Sequence, residues 1–359
     1  MRETYPELAG IAAAAGDPVY LVGGAVRDLL LGRGRADIDL AVEGDADALA
    51  AALGLEPYAN HDRFGTAKVE LDGHEVDIAA ARSESYPEPG ALPVVEHGAN
   101  VEGDLARRDF TVNAMAVPLA GEPRLIDPHG GLADLEAGLL RILHPASFED
   151  DPTRAIRAAR YVARLELELE GETERLLRAT DLASVSDDRR EGELLRLARE
   201  STAPHGFEML AGWGLLDLGA HWEVLVAALP ELLAESPWEG EVDPARAWLA
   251  AALGVMSPAE ELIHAHPTRP SQAAVLARGH GPTELLLARA LGAEWLDDYI
   301  GVWRNVELDI DGADLIGAGV EQGPALGRGL AAALRQKLDG EISGREQELA
   351  AALAAARQG

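Results

Sequence analysis

The hydrophobic positions of this chain follow two patterns. Through the first third they come in short runs broken by glycine-bearing turns, and from Ser147 onward they recur at helical spacing. Residues 20–22 are aromatic or branched and predict a strand, Gly23 and Gly24 a sharp turn, and residues 25–31 a brief helix. In Asp37-Ile38-Asp39-Leu40 the alternation of a strand puts the two aspartates on one face and the two apolar residues on the other. Residues 45–53 predict a short helix with an acidic first turn, as the helix dipole favours. Two strands follow at 66–71 and 75–80, joined by an Asp72-Gly73 hairpin signal. Residues 82–103 are crowded with proline, glycine and small polar side chains and predict a loop of the kind that closes over a site. Residues 104–117 predict a helix, 125–128 a closing strand and 133–138 another helix. Beyond Ser147 the pattern is helical throughout, with a capped start at Asp150 or Asp151, a further helix at 185–199, proline-punctuated scaffold helices at 201–305 and a helical tail that Gly323-Pro324 helps to open. No fixed-period repeat is visible.

A chain of 359 residues is long enough for two to four compact units. Cysteine is absent, which excludes disulfides and thiolate metal sites. No basic-then-apolar leader and no run of membrane-spanning length is present, so a cytoplasmic enzyme is expected. Charge opposes a nucleic-acid partner, since 31 basic against 62 acidic residues leave a net −31. Locally the balance shifts: residues 141–200 hold 11 arginines against 14 acids, and residues 201–300 hold 4 against 14. Lys68 and Lys337 are the only lysines, so the positive charge is nearly all of the planar, bidentate kind suited to phosphate and base edges.

The chemistry then divides by segment. A glycine turn emptying into a helix N-terminus favours a phosphate, with Arg27 one turn in adding a charged contact. Asp37 and Asp39 on one strand face suggest Mg²⁺, against the alternative of a polar edge strand. Asp77 becomes a third candidate ligand if its strand neighbours theirs, and is a surface acid if not. Arg108 offers a triphosphate contact, and Asp109 and Asn113 offer hydrogen bonds to ribose hydroxyls. Arg154, Arg157, Arg160 and Arg164 recur in steps of three and four along one helical face. Such a face is usually solvated or acid-paired; beginning beside a cap aspartate, it is read as ligand-facing. His264, His266 and His280 lack metal-ligand spacing.

GGAVRDLLLG followed by DIDL resembles the signature of class II tRNA nucleotidyltransferases and bacterial poly(A) polymerases. RRDFTVNAM resembles that family's second motif. Asp127, Gly130 and Gly131 resemble its hinge, and DDPTRAIR its base-recognition motif, with Asp150 where glutamate is common. Arg190, Glu191 and Glu193 resemble a fifth, structural motif, and residues 309–353 its RNA-contacting end, where Ser343-Gly344-Arg345 departs from the usual pattern.

The resemblance implies an α+β fold, with a polymerase-β-like mixed sheet and helices at the N-terminus followed by an all-α remainder. It divides the chain into a catalytic head (1–140), a base-reading neck (141–205), a body (206–305) and a tail (306–359). The implied reaction adds C and A from CTP and ATP to the tRNA 3′ end, with Mg²⁺ held by Asp37 and Asp39. Gly23, Gly24 and Arg27 would hold the triphosphate, Arg108 and Asp109 the sugar and phosphate, and Asp151 with Arg154 the base. Neither a membrane nor a protein partner is implied. A member adding only CC, only the terminal A, or poly(A) fits the same motifs. The competing class is a non-catalytic RNA-binding protein, against which the intact aspartate pair stands.

Overall fold

The computed structural model describes residues 4–33, 37–61, 65–254 and 260–357. Residues 34–36, between the glycine-turn helix and the aspartate strand, lie outside them. The chain divides into two compact units, Met1–Leu216 and Asp217–Gly359.

The first unit opens with helix α1 (Leu8–Ala14) and strand β1 (Val19–Val22), followed by α2 (Gly24–Leu30), β2 (Ile38–Val42) and α3 (Ala46–Ala52). Strands β3 (Ala59–His61), β4 (Thr66–Leu71) and β5 (His74–Ala80) complete one side of a six-stranded sheet of order β3-β4-β5-β2-β1-β8, where β8 is Ala116–Pro118. The sheet is mixed: β2 runs parallel to β5, and the other pairs are antiparallel. Asp72 and Gly73 both take positive φ, the backbone of a type I′ hairpin. Asp45 caps α3 through the Ala48 amide at 3.0 Å, as its acidic start predicts. Leu21, Ile38, Leu40 and Ile78 are fully buried, each contributing roughly 1.5–3 kcal/mol. Val22, Ala41, Ala114 and Ala116 pack under Val101 and Leu105 of α4 (Val101–Ala106).

Three stretches depart from the sequence reading. Residues 82–103 are not all loop: β6 (Arg82–Ser85) and β7 (Val94–His97) form a separate hairpin, and α4 begins at Val101. Val94 and Val95 are strand formers, and the prolines fall at 87, 89 and 93 in the connection. The helix expected over 104–117 stops at Ala106. The Thr111 amide donates to Arg141 O at 2.9 Å and Phe110 bridges Ile142, so tertiary pairing bends the chain into a 3₁₀ turn and then β8. The strand expected at 125–128 is a single bridge from Ile126 to Ala116.

Helix α5 (Gly131–Glu136) follows, then α6 (Ser147–Asp150), α7 (Thr153–Leu165), α8 (Gly171–Leu177), α9 (Asp187–Ala198) and α10 (Ala203–Gly212). The 140/141 boundary expected from the resemblance falls within this unit. The second unit is helical, with α11 (Trp222–Ala234), α12 (Pro244–Leu253), α13 (Glu260–Ile263), α14 (Pro270–Ala277), α15 (Pro282–Ala290), α16 (Trp295–Gly301), α17 (Gly312–Gly317), α18 (Pro324–Leu338) and α19 (Arg345–Arg357). Leu315, Ala333 and Ala352 close the core of the last three. The architecture is therefore the α+β head and all-α remainder that the motifs implied. No helix among the described residues is long and apolar enough to cross a membrane.

Candidate active site

A cleft of about 610 Å³ opens in the first unit, and most of the expected site residues line it. Its floor is the sheet. In the parallel pair of β2 and β5, Asp39 stands directly opposite Asp77, so the condition set for Asp77 is met and the two carboxylates share a face. Asp37 immediately precedes β2. Burial pushes Asp39 up to about 6; Arg108 opposes the shift, Asp77 and Asp37 add to it, and Lys68 opposes it.

The Lys68 ammonium lies 2.9 Å from Asp77 Oδ2, while Asp77 Oδ1 is buried without a hydrogen-bond partner. Among the described residues no three His, Cys, Asp or Glu side chains form a ready metal-binding group. The donors nevertheless fit a hard dication. Mg²⁺ takes one or two protein carboxylates and completes its shell with water and substrate phosphate, and a cation here would relieve both the crowding on Asp39 and the orphaned Asp77 oxygen.

Beside the carboxylates, Gly23 turns at φ +66° into α2, and a Cβ there would come within 2.8 Å of Arg108 Nη1 and 3.7 Å of Asp39 Oδ2. The backbone angle favours glycine here, and a Cβ would push aside the end of the Arg108 side chain. The Gly23 amide donates to Met115 O, so any phosphate cradle starts at Gly24. Arg108 is aimed across this turn by Asp104, whose Oδ2 accepts from its Nη2 at 3.0 Å. Arg107 donates to the other Asp104 oxygen and to Glu84.

Several expected ligands are engaged by the protein itself. Arg27 is 2% exposed and does not line the cleft. It donates to Asp28 and Asn113 and stacks 5.4 Å from the Tyr161 ring centroid. The expectation that it reaches the triphosphate is corrected: it braces the floor from behind.

Asp109 lines the cleft, but Phe110 N and Asn113 Nδ2 donate to its Oδ1 and Arg157 donates twice to its Oδ2. Burial would raise its pKa, yet the Arg157 charge and these hydrogen bonds bring it down to about 2. Asn113 links Asp109 to Arg27, so this pair orders the site more than it offers free groups to a ribose.

The arginine face of α7 is acid-paired rather than wholly ligand-facing. Arg157 pairs with Asp109, Arg160 lies 3.9 Å from Glu193 and 3.8 Å from Glu200, and Arg164 lies 3.4 Å from Asp28. Arg160 is absent from the cleft wall and lies against Glu193 and Glu200, whereas Arg154 and Arg157 line the cleft.

Arg154 is 5% exposed and anchored on Ser147 Oγ and Arg107 O. Asp151, extended ahead of Pro152 as a pre-proline residue should be, accepts from Thr153 N, Thr153 Oγ1 and Arg189 Nη2, all on Oδ1. The ionic partner of Asp151 is therefore Arg189, not Arg154. Arg189 also donates to Gly90 O at 2.7 Å, joining α9 to the turn of the β6–β7 hairpin.

Sequence reasoning passed over Arg189 and Tyr161, although 189, 192, 193 and 196 follow the i, i+3, i+4, i+7 spacing of a helix face and all line the cleft. Tyr161 gathers three guanidinium groups, those of Arg27, Arg157 and Arg160, within 5.6 Å of its ring centroid. The expected hinge residues form a helix start: Asp127 accepts from the Gly131 and Leu132 amides at 2.7 and 2.9 Å, and Gly130 sits at φ +75°. A Cβ on Gly131 would come within 2.2 Å of Thr111 O, so the joint is closely packed.

Comparison with known proteins bears on the same residues. Residues 19–141 match the family described as the poly A polymerase head domain. The A-adding tRNA nucleotidyltransferase of Halalkalibacterium halodurans is 43% identical over 217 residues, covering 57% of this chain and 50% of that one. The chain thus spans half the length of that relative. The CC-adding tRNA nucleotidyltransferase of Deinococcus radiodurans is 38% identical over 338 residues, covering 88% of this chain and 84% of that one. A solved structure of a CCA-adding enzyme in an apo form superposes with a TM-score of 0.78 at 30% identity, covering 97% of this chain and 94% of the other.

Proposed function

The chain belongs to the tRNA nucleotidyltransferase family, and from that premise we propose that it transfers C and A nucleotides from CTP and ATP to the 3′ end of tRNA, releasing pyrophosphate. The observation that carries this reading is the convergence of Gly23, Asp39 and Arg108, with Asp77 in register beside them: carboxylates for a dication lie against a turn and a guanidinium suited to phosphate.

Asp37 and Asp39, with Asp77 as a third candidate, would hold a divalent cation, which we take to be Mg²⁺. When bound, it supplies charge neutralisation on the transferring phosphate and lowers the pKa of the attacking hydroxyl. The chain's own residues do the rest. Arg108, aimed by Asp104, contacts the triphosphate, and the Gly24 end of α2 receives a phosphate oxygen. The Asp109–Arg157 pair and Asn113 hold the wall rigid.

Asp151 reads the base: its Oδ2, which has no donor among the described residues, accepts the exocyclic amino group that C and A share and that G and U replace with a carbonyl at that position. Arg154, braced by Ser147, completes the reading by presenting a donor to the ring nitrogen. The neck, body and tail would carry the tRNA. These substrates fit a cytoplasmic enzyme.

Relatives that add only CC or only A match this chain at similar identity, so the nucleotide range is the quantity to measure. Incorporation of labelled CTP and ATP into tRNAs ending at the discriminator base, at C and at CC tests it directly. Complete CCA on the first substrate supports the reading. Extension confined to CC, or to the final A, narrows it to a partial activity, and none on any substrate removes it.

A further inference from the structure

Three neighbouring strands set a charge sequence that ends at Asp39, the one of its members that lines the cleft. Lys68 of β4 is the register partner of Asp77 of β5, and Asp77 is the register partner of Asp39 of β2. The Lys68 ammonium lies 2.9 Å from Asp77 Oδ2 and 2.9 Å from Glu75 Oε1, while Asp77 Oδ1 is buried with no hydrogen-bond partner. One oxygen of the candidate third ligand is thus neutralised from within, and the other is left for something the chain does not provide.

The choice of residue is informative. Of 31 basic residues 29 are arginines, yet a lysine stands here. An ammonium is a compact point charge on a flexible stem, whereas a guanidinium is a broad planar fork. The Lys68 side chain is 38% exposed and can swing away along its four-carbon chain.

Resting on the metal-binding reading of Asp37, Asp39 and Asp77, we propose that Lys68 is a positioning residue that serves as a built-in counter-cation: it steadies Asp77 beside Asp39 and competes with a divalent ion, so that tight metal loading waits for the phosphates of the nucleotide. An ammonium on one carboxylate oxygen repels a dication approaching the same carboxylate, and bound phosphate offsets that repulsion.

Mn²⁺ alone, without nucleotide, is the probe, with the free ion quantified by its electron paramagnetic resonance signal. Lys68→Met keeps the aliphatic stem and removes the charge; it should bind Mn²⁺ on the order of tenfold more tightly than wild type. Mn²⁺ should also raise its melting temperature more than it raises that of wild type. Lys68→Arg, which keeps the charge, should return Mn²⁺ affinity toward the wild-type value, a rescue that loss of packing alone would not produce. If Lys68→Met does not fold, Lys68→Gln takes its place.

Equal or weaker Mn²⁺ binding in the neutral variants, with binding still abolished by Asp39→Asn, overturns the role of Lys68 and leaves the metal site standing. Binding that survives Asp39→Asn, or that is absent from every protein, overturns both.

Discussion

At the residue scale the decisive quantity is how many partners each charged group already has. Asp39 is short of them. Its folded pKa of about 6 lies above the ordinary carboxylate value, so it favours the fold in its neutral form. That contribution is complete below about pH 4 and is lost as pH rises through about 6. Asp39→Asn should therefore raise the melting temperature at pH 7.5 and leave it nearly unchanged at pH 4, while abolishing nucleotide transfer. A loss of stability at pH 7.5 would instead give Asp39 a structural role.

Arg27 is the opposite case, fully partnered and buried. Arg27→Met leaves buried Asp28 only its 3.4 Å contact with Arg164, and breaking a buried pair costs about 3–5 kcal/mol. Urea unfolding should show that loss. Unchanged stability with a raised KM for nucleotide would return Arg27 to the phosphate.

At the scale of elements, the base-reading position is assembled from two helix starts and a hairpin turn. Asp151 precedes α7, Arg189 comes from the first turn of α9, and Gly90 from the β6–β7 connection. Asp151→Ala should narrow the preference for CTP and ATP over UTP and GTP by roughly tenfold, the scale of one lost charged hydrogen bond. Arg189→Gln should narrow it in the same direction and by less, because Thr153 still holds Asp151. The double variant should be no worse than Asp151→Ala, since the two act through one contact. Additive losses in kcat/KM would show that Arg189 works independently.

At the scale of the whole molecule, the net charge of −31 opposes a polyanionic partner at long range. Salt screens that repulsion and at the same time weakens direct arginine–phosphate contacts through counterion release. The two effects oppose each other, so tRNA affinity should fall only shallowly between about 50 and 200 mM salt. The engagement of Arg157, Arg160 and Arg164 by acids strengthens this expectation, because these cations are already neutralised. A steep slope, measured by filter binding, would require a basic surface elsewhere in the fold.

What the sequence determined by itself was whatever depends on near neighbours along the chain. The Asp72-Gly73 hairpin, the glycine turn before α2, the strand that carries Asp39 and the helical remainder all follow from local conformational preference and periodicity. Tertiary structure alone decided which charges were free. Local spacing puts Arg154, Arg157 and Arg160 on one face of α7 but says nothing of Asp109, Ser147, Glu193 and Glu200, which come from other segments to neutralise or anchor them. It likewise decided that Asp151 meets Arg189 from 38 residues away and that residues 108–113 leave the helix to pair with Arg141 and Ile142. An ion pair across such a separation forms only after the core has brought its two strands or helices together, and no periodicity within either segment encodes it.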